Sequence, residues 1–226
     1  MRPRAQARGY LSSGYMATRL ISFPADDVAL EGIFVHPEHL PRAAGLIICH
    51  PHPLHGGDME NHIVRALADA FTATDFAVLR FNFRGVGGST GRYGEGIGER
   101  EDIKGALTWL AAQPMIDAER LFLAGYSFGA RVMLAVAAVD LRVHGFIAVA
   151  PPTFHGAWPS RQAGRGPKVF ICGEWDPYAA PETLRVWVER LPEPKRLVIL
   201  PGTDHFFMGH ERTLAQRAVT LLQELS

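Results

Sequence analysis

Residues 121–133 read LFLAGYSFGARVM, in which a short apolar run passes through the pattern G-Y-S-F-G at 125–129 into a second apolar run. The first run has the length and composition of a buried strand, whereas residues 128–139 are apolar on nearly all sides, which is typical of a helix packed against a sheet. The sequence therefore predicts a sharp strand–turn–helix unit with Ser127 at its tip.

Such a turn would hold Ser127 in a strained conformation, and Gly125 and Gly129 would relieve the backbone crowding on either side of it. The turn would expose the Ser127 hydroxyl at the carboxyl end of the sheet. The positive end of the next helix, with the Phe128 N–H, would point at the same place and stabilise a developing oxyanion. The alternative interpretation is that Ser127 merely caps the helix.

The rest of the chain alternates between short apolar runs and amphipathic segments with helical spacing. Strands are predicted at 18–23, 28–36, 45–49, 76–82, 120–125, 144–150, 167–172 and 196–200. Helical stripes follow most of them, which favours an α/β fold with a mostly parallel eight-stranded sheet and helices on both faces. No helix separates the first two strands, so they are expected to form an antiparallel hairpin at one edge.

We expect one domain over residues 18–226, preceded by a disordered tail at 1–17 or by a start that truly lies at Met16. The Pro- and Gly-rich stretch 151–166 is predicted to be a surface loop, too short for a helical cap domain. The Ser127 hydroxyl should then lie in an open cleft near Pro151, Trp158 and Phe206.

Composition narrows the class of partner. Lys plus Arg equals Asp plus Glu at 23 each, so no global field favours nucleic acid or an anionic membrane, and we expect a small-molecule partner. Cys49 and Cys172 lie in apolar runs that predict buried strands and do not suggest a disulfide scaffold. This fits a protein of the reducing cytoplasm. No apolar stretch approaches the ~20 residues that a transmembrane helix needs. A homo-oligomer is possible.

With its G-x-S-x-G turn between strand and helix, the chain resembles the α/β-hydrolase superfamily, and within it the small dienelactone-hydrolase-like esterases, over residues 18–226. The resemblance implies the chain order nucleophile, acid, histidine. VFICGEWDPYAAPE then offers Asp176 as the acid and VILPGTDHFFMGH offers His205, with Glu174 as a competing acid. A carboxylate is needed to hold the imidazole in the tautomer that activates the serine. Without that role, Asp176 would be a turn residue and His205 a helix-start residue.

The sequence ICHPHPLHGGDMEN at 48–61 resembles the family's H-G-x-P loop, with Pro51 in place of Gly. Because proline has no N–H, the backbone N–H of His52 is the first candidate for the second oxyanion donor and that of Leu54 the second. We expect His50 to bond neighbouring loops. The loop's histidines suggest a metal, but its prolines and glycines give it a sufficient role of its own, so no metal or cofactor is predicted. Those histidines are His50, His52, His55 and His62.

FNFRGVGGSTG at 81–91 is similar to another loop of the family. The resemblance implies that Arg84 organises the floor of the site without reacting. Asp102 and Glu99 should complement the dipole of the next helix or pair with Arg84.

Together these features predict a serine hydrolase that cleaves a carboxylic ester or thioester through an acyl-enzyme on Ser127. The same triad could act on a lactone, an amide or a C–C bond, and the sequence does not separate these reactions. A non-catalytic binding protein with this fold is the alternative from another class.

Overall fold

The computed structural model describes residues 16–153 and 166–226. Most of the expected N-terminal tail, and most of the predicted loop at 151–166 including Trp158, lie outside the described residues. The first strand begins at Met16, so residues 16 and 17 belong to the sheet and not to the tail.

All eight predicted strands are confirmed. They are β1 (Met16–Ala25), β2 (Val28–Pro37), β3 (Ala43–Cys49), β4 (Ala77–Phe81), β5 (Ile116–Tyr126), β6 (Val143–Val149), β7 (Lys168–Gly173) and β8 (Lys195–Leu200). They form one sheet in the order β1-β2-β4-β3-β5-β6-β7-β8. The β1–β2 hairpin is antiparallel, as expected, and so is the β2–β4 pair, whereas every pair from β4 to β8 is parallel.

Five helices connect or follow the strands: α1 (His62–Thr72), α2 (Gly98–Ala111), α3 (Phe128–Ala137), α4 (Pro181–Glu189) and α5 (Glu211–Leu225). α1 packs against α5, and α2 packs against both α3 and the first strand, so helices cover both faces of the sheet. A short 3-10 turn at Pro53–His55 was not predicted. An element of three residues is too short to show the periodicity from which a helix is predicted.

The central strands are covered on both faces, which explains their near-continuous apolar runs. Every residue of β3 and β7 is buried. Cys49 and Cys172 are free thiols within these strands, and burial raises the pKa of Cys172 to about 12. Neither thiol is therefore poised as a nucleophile.

The connection between β6 and β7 is where a cap domain would stand. Its described ends, residues 150–153 and 166–167, contain neither helix nor strand. The described part of the chain therefore builds no cap over the carboxyl edge of the sheet. Across the same residues, no helix combines the length and apolar character that crossing a membrane requires.

Candidate active site

Ser127 occupies the turn between β5 and α3 with φ 53° and ψ −113°, a backbone conformation that is strained for a residue with a side chain. Its N–H donates to the Val149 carbonyl at 2.9 Å, which ties the turn to β6. A Cβ atom at Gly125 would lie 2.6 Å from the Ala130 nitrogen, and one at Gly129 would meet the carbonyl oxygen atoms that end β3. Glycine is therefore required on both sides of the turn.

The Ser127 side chain makes no capping bond to α3. Instead, its Oγ lies 3.0 Å from His205 Nε2, and His205 Nδ1 lies 2.8 and 3.0 Å from the two carboxylate oxygens of Asp176. With the Nδ1 proton donated to the carboxylate, Nε2 is left as the acceptor for the serine proton. The structure thus joins Ser127, His205 and Asp176, the three predicted residues, by a continuous series of hydrogen bonds, which is called the relay below.

Asp176 follows β7 and is buried. Its Oδ1 also accepts the backbone N–H groups of Tyr178 and Ala179, each at 2.8 Å, so the carboxylate is fixed as well as charged. The competing acid, Glu174, is exposed and accepts the Gly202 N–H at 2.9 Å. Glu174 therefore holds the loop after β8 and does not reach the imidazole.

His205 lies in the loop after β8, before α5 begins at Glu211, so it does not start a helix. The buried Tyr126 hydroxyl donates to the His205 carbonyl at 2.9 Å, and the ring centres of Tyr178 and His205 are 4.8 Å apart. Burial raises the pKa of Tyr126, which keeps it a donor. Sequence reasoning missed both tyrosines, although each lies one or two residues from a triad member.

Phe128 is the first residue of α3, and the first bond of that helix runs from Arg131 N–H to the Ser127 carbonyl. The Phe128 N–H therefore belongs to the donors that a helix start leaves without a helical acceptor. His52, the other predicted donor residue, lies after β3, with its ring centre 4.9 Å from that of Phe128. The Leu54 N–H donates to His52 Nδ1 at 3.2 Å and so serves the loop itself.

His50 is fully buried and bridges two loops, as expected. Its Nδ1 donates to the Pro51 carbonyl at 2.7 Å, and its Nε2 accepts the Phe83 N–H at 3.0 Å. Burial lowers the pKa of His50 to about 4, so the ring is neutral at pH 7. It thereby holds the His52 loop against the loop after β4.

The other histidines of this loop bond different groups, although the rings of His52 and His55 pack edge to face with their centres 4.7 Å apart. His52 Nε2 lies 3.2 Å from the Tyr93 hydroxyl, and His62 Nε2 lies 2.9 Å from the Phe206 carbonyl. Among residues 16–153 and 166–226, no three His, Cys, Asp or Glu side chains converge on a point where a metal could bind.

Arg84 lies in the loop after β4 and pairs with Asp102 of α2, and it is not among the residues that line the cleft around Ser127. Its Nε and Nη2 lie 2.8 and 2.7 Å from Asp102 Oδ1, and its backbone N–H donates to Oδ2 at 2.9 Å. Glu99 lies in the first turn of α2, as its predicted role at the helix dipole requires, and does not pair with Arg84. Its carboxylate accepts the N–H groups of Gly94 and Gly96, both at 2.7 Å. The loop that precedes α2 is thus pinned by two buried carboxylates of that helix.

Ser127 and His205 open into a cleft of about 900 Å³ whose walls are both aromatic and polar. Its other lining residues are Pro51, His52, His55, Gly56, Gly57, Asn61, His62, Tyr93, Glu95, Tyr126, Phe128, Arg131, Pro152, Tyr178 and Phe206. Phe206 was expected there, and Pro152 lines the cleft where Pro151 was expected. Such a cleft accommodates a small molecule.

Comparison with known proteins places this arrangement in context. The family model described as an α/β hydrolase domain matches residues 43–225. The solved structure of an α/β serine hydrolase homologue from Coxiella burnetii is 34% identical, with 96% of this chain and 100% of that chain covered and a TM-score of 0.80. An α/β serine hydrolase without a lid from Xanthomonas campestris is 32% identical, with 96% and 98% covered and a TM-score of 0.78.

Curated proteins are similar to shorter parts of the chain. An uncharacterised protein from Rickettsia prowazekii is 33% identical over 74% of this chain and 73% of that protein. A polyketide transferase from Gibberella fujikuroi is 30% identical over 59% of this chain, and the match spans 41% of that protein.

The contacts of the two acids predict different effects of their removal. Asp176→Asn should lower kcat on the order of 10⁴-fold, because an amide facing Nδ1 favours the wrong histidine tautomer. Glu174→Gln, the matched control, should change kcat little, since its carboxylate serves only Gly202. Steady-state ester hydrolysis by both variants checks this, and the reverse ranking would contradict the assignment of the acid.

Burial of neutral His50 predicts a loss of stability in acid. The unfolded chain binds a proton at this residue near pH 6.5 and the folded chain only near pH 4, so the free energy of unfolding should fall through that window. A shift of this size corresponds to about 3 kcal/mol at pH 4. Urea unfolding at pH 7, 5.5 and 4 should show a smaller acid loss in His50→Gln. An equal loss in His50→Gln and wild type, with exposed His55→Gln as control, would contradict this.

Proposed function

The chain belongs to the α/β hydrolase domain family, in the branch without a lid, and on that premise we propose that it cleaves a carboxylic ester or thioester of a small substrate through an acyl-enzyme on Ser127. The observation that carries the proposal is the unbroken relay from the Ser127 hydroxyl through His205 to the buried carboxylate of Asp176. A serine hydroxyl becomes a competent nucleophile only with such a base beside it.

In the first half-reaction, Ser127 Oγ attacks the substrate carbonyl carbon while its proton moves to His205 Nε2. The imidazolium that forms is stabilised by Asp176, which stays ionised. His205 then gives the proton to the leaving alkoxide or thiolate, whose bond to the carbonyl carbon breaks. The products of this half are the free alcohol or thiol and an ester on Ser127.

In the second half-reaction, water takes the place of the leaving group. His205 Nε2 accepts a proton from the water as its oxygen attacks the acyl-enzyme, and the proton then returns to Ser127 Oγ. The carboxylic acid leaves and the enzyme is restored. The atoms of one water are divided between the two products.

The negative oxygen that forms in each half-reaction would be bound by backbone N–H groups of Phe128 and His52. The start of α3 supports the first donor, and the positive end of that helix adds to it. The second is supported by the close approach of Gly129 in α3 to the His50 carbonyl, which brings the loop of His52 to the start of that helix, and by Leu54, whose own N–H bonds His52 Nδ1. Each donor aimed at such an oxygen contributes about 10²–10³-fold to kcat.

Other reactions suit the same relay. A lactone, an amide or a C–C bond could replace the ester, and the relatives named polyketide transferases suggest an acyl acceptor other than water. A non-catalytic binding protein is disfavoured because an intact relay would then have no use. The proposal further takes the protein to be cytoplasmic, which the buried free thiols of Cys49 and Cys172 favour. It takes the partner to be a small molecule and not nucleic acid or a membrane, which the equal numbers of acidic and basic residues favour.

Removing the nucleophile should abolish turnover without harming the fold. Ser127→Ala should lower kcat/KM for a soluble ester by about 10⁴-fold or more, because the covalent route is lost. It should unfold at a temperature near that of the wild type. Near-normal hydrolysis by this variant would overturn the whole proposal.

Acyl-chain selectivity should follow the dimensions of the cleft. Each CH₂ that finds an apolar wall contributes about 0.8 kcal/mol, so kcat/KM should rise with chain length and stop rising once the chain passes the cleft. With no cap in the described residues, an emulsified ester should give no jump in rate. A 4-nitrophenyl ester series from acetate to palmitate measures this, and a strong preference for palmitate would contradict it.

A further inference from the structure

One residue of the cleft is not used by the proposed mechanism. Arg131 lies in α3 four residues after Ser127, and it is the only Lys or Arg among the described residues that line the cleft. Side chains of a helix lean toward its N-terminus, so Arg131 reaches back toward the nucleophile. Its guanidinium carbon is 5.1 Å from the ring centre of Phe128. A positively charged side chain therefore lines the same cleft as Ser127 and His205.

This charge has no carboxylate partner within 4 Å in the described part of the chain. Glu95 is the one acidic residue among the described residues that line the cleft, and it is exposed. Glu99 is committed to the backbone of Gly94 and Gly96. Arg131 itself is half-buried, and its guanidinium packs beside Gly96, where a Cβ atom would lie 2.7 Å from Nη2.

A substrate that fills the cleft would displace water from this guanidinium. Losing water without gaining a partner costs free energy, so a neutral substrate would bind against that cost. A carboxylate on the substrate would instead gain charge-assisted bonds, and the planar fork of arginine suits the two oxygens of a carboxylate.

We propose that Arg131 binds a free carboxylate of the substrate, so that the cleft selects short esters or thioesters that carry a second, ionised carboxyl group. This inference rests on the proposed function and adds the substrate class. Ser127 and Arg131 line the same cleft, so one substrate can contact both. Hemiesters of short dicarboxylic acids, such as succinate and glutarate, are therefore the expected kind of substrate.

The test compares charged and neutral substrates of nearly equal shape. The readout is the ratio of kcat/KM for the 4-nitrophenyl hemiester of glutaric acid to that for its methyl-capped diester. A second pair, 4-acetoxybenzoate and its methyl ester, places the charge on the alcohol side. We expect the wild type to favour the charged member of at least one pair. In Arg131→Gln that preference should fall by about 10- to 100-fold, as expected for a lost charge-assisted pair.

Two further variants separate the charge from the fold. Arg131→Lys keeps the charge without the planar fork and should retain part of the preference. Arg217→Gln removes an arginine that is exposed on α5 and lies away from the cleft, and it should leave the ratio unchanged. If neither pair shows a preference that depends on Arg131, the inference is wrong while ester hydrolysis itself still supports the proposed function.

Calorimetric binding of free glutarate gives an answer that needs no turnover. Binding by the wild type that weakens by about 10-fold or more in Arg131→Gln would support the carboxylate site even if no ester were hydrolysed, in which case the proposed function alone would fail. Equal binding by wild type, Arg131→Gln and Arg131→Lys would overturn the inference.

Discussion

The site depends on the strained turn at Ser127, which the sheet holds from both sides. A residue with positive φ persists only where its surroundings oblige it. Here the Ser127 N–H is bound to Val149 on β6, and Gly129 lets the first turn of α3 press against the carbonyl groups that end β3. Three neighbouring strands thus fix one backbone position, and the nucleophile projects at their carboxyl ends.

The other parts of the site are brought to the same edge by the parallel order of the sheet. Asp176 follows β7 and His205 follows β8, the next two strands beyond β6, so both reach the turn from one side. The His52 loop follows β3 and reaches it from the other side. Hydrogen bonds hold each of these parts in place. Two backbone N–H groups donate to Asp176, and the Tyr126 hydroxyl donates to the His205 carbonyl. His50 bonds two loops to each other. Preorganisation of this kind lowers the cost of reaching the transition state.

The strands, their hairpin and the order of the site residues could be predicted from the sequence because each rests on local signals. Short apolar runs mark buried strands, and glycines flank the turn at Ser127. The antiparallel β2–β4 pair could not be predicted, since pairing between distant strands leaves no local pattern. The particular hydrogen bonds that Tyr126 and Glu99 make could not be predicted either. An aromatic residue beside a strand end usually indicates core packing, and Glu99 bonds backbone groups that any sequence possesses.

Ser127 becomes a nucleophile only when the chain folds, and covalent labelling tests this most directly. A fluorophosphonate probe should modify the native protein once, and mass spectrometry of the digested protein should place the adduct on Ser127. The label should vanish when the protein is denatured before the probe is added, because His205 and Asp176 then no longer flank the hydroxyl. Labelling at another residue, or none in the native state, would contradict the account.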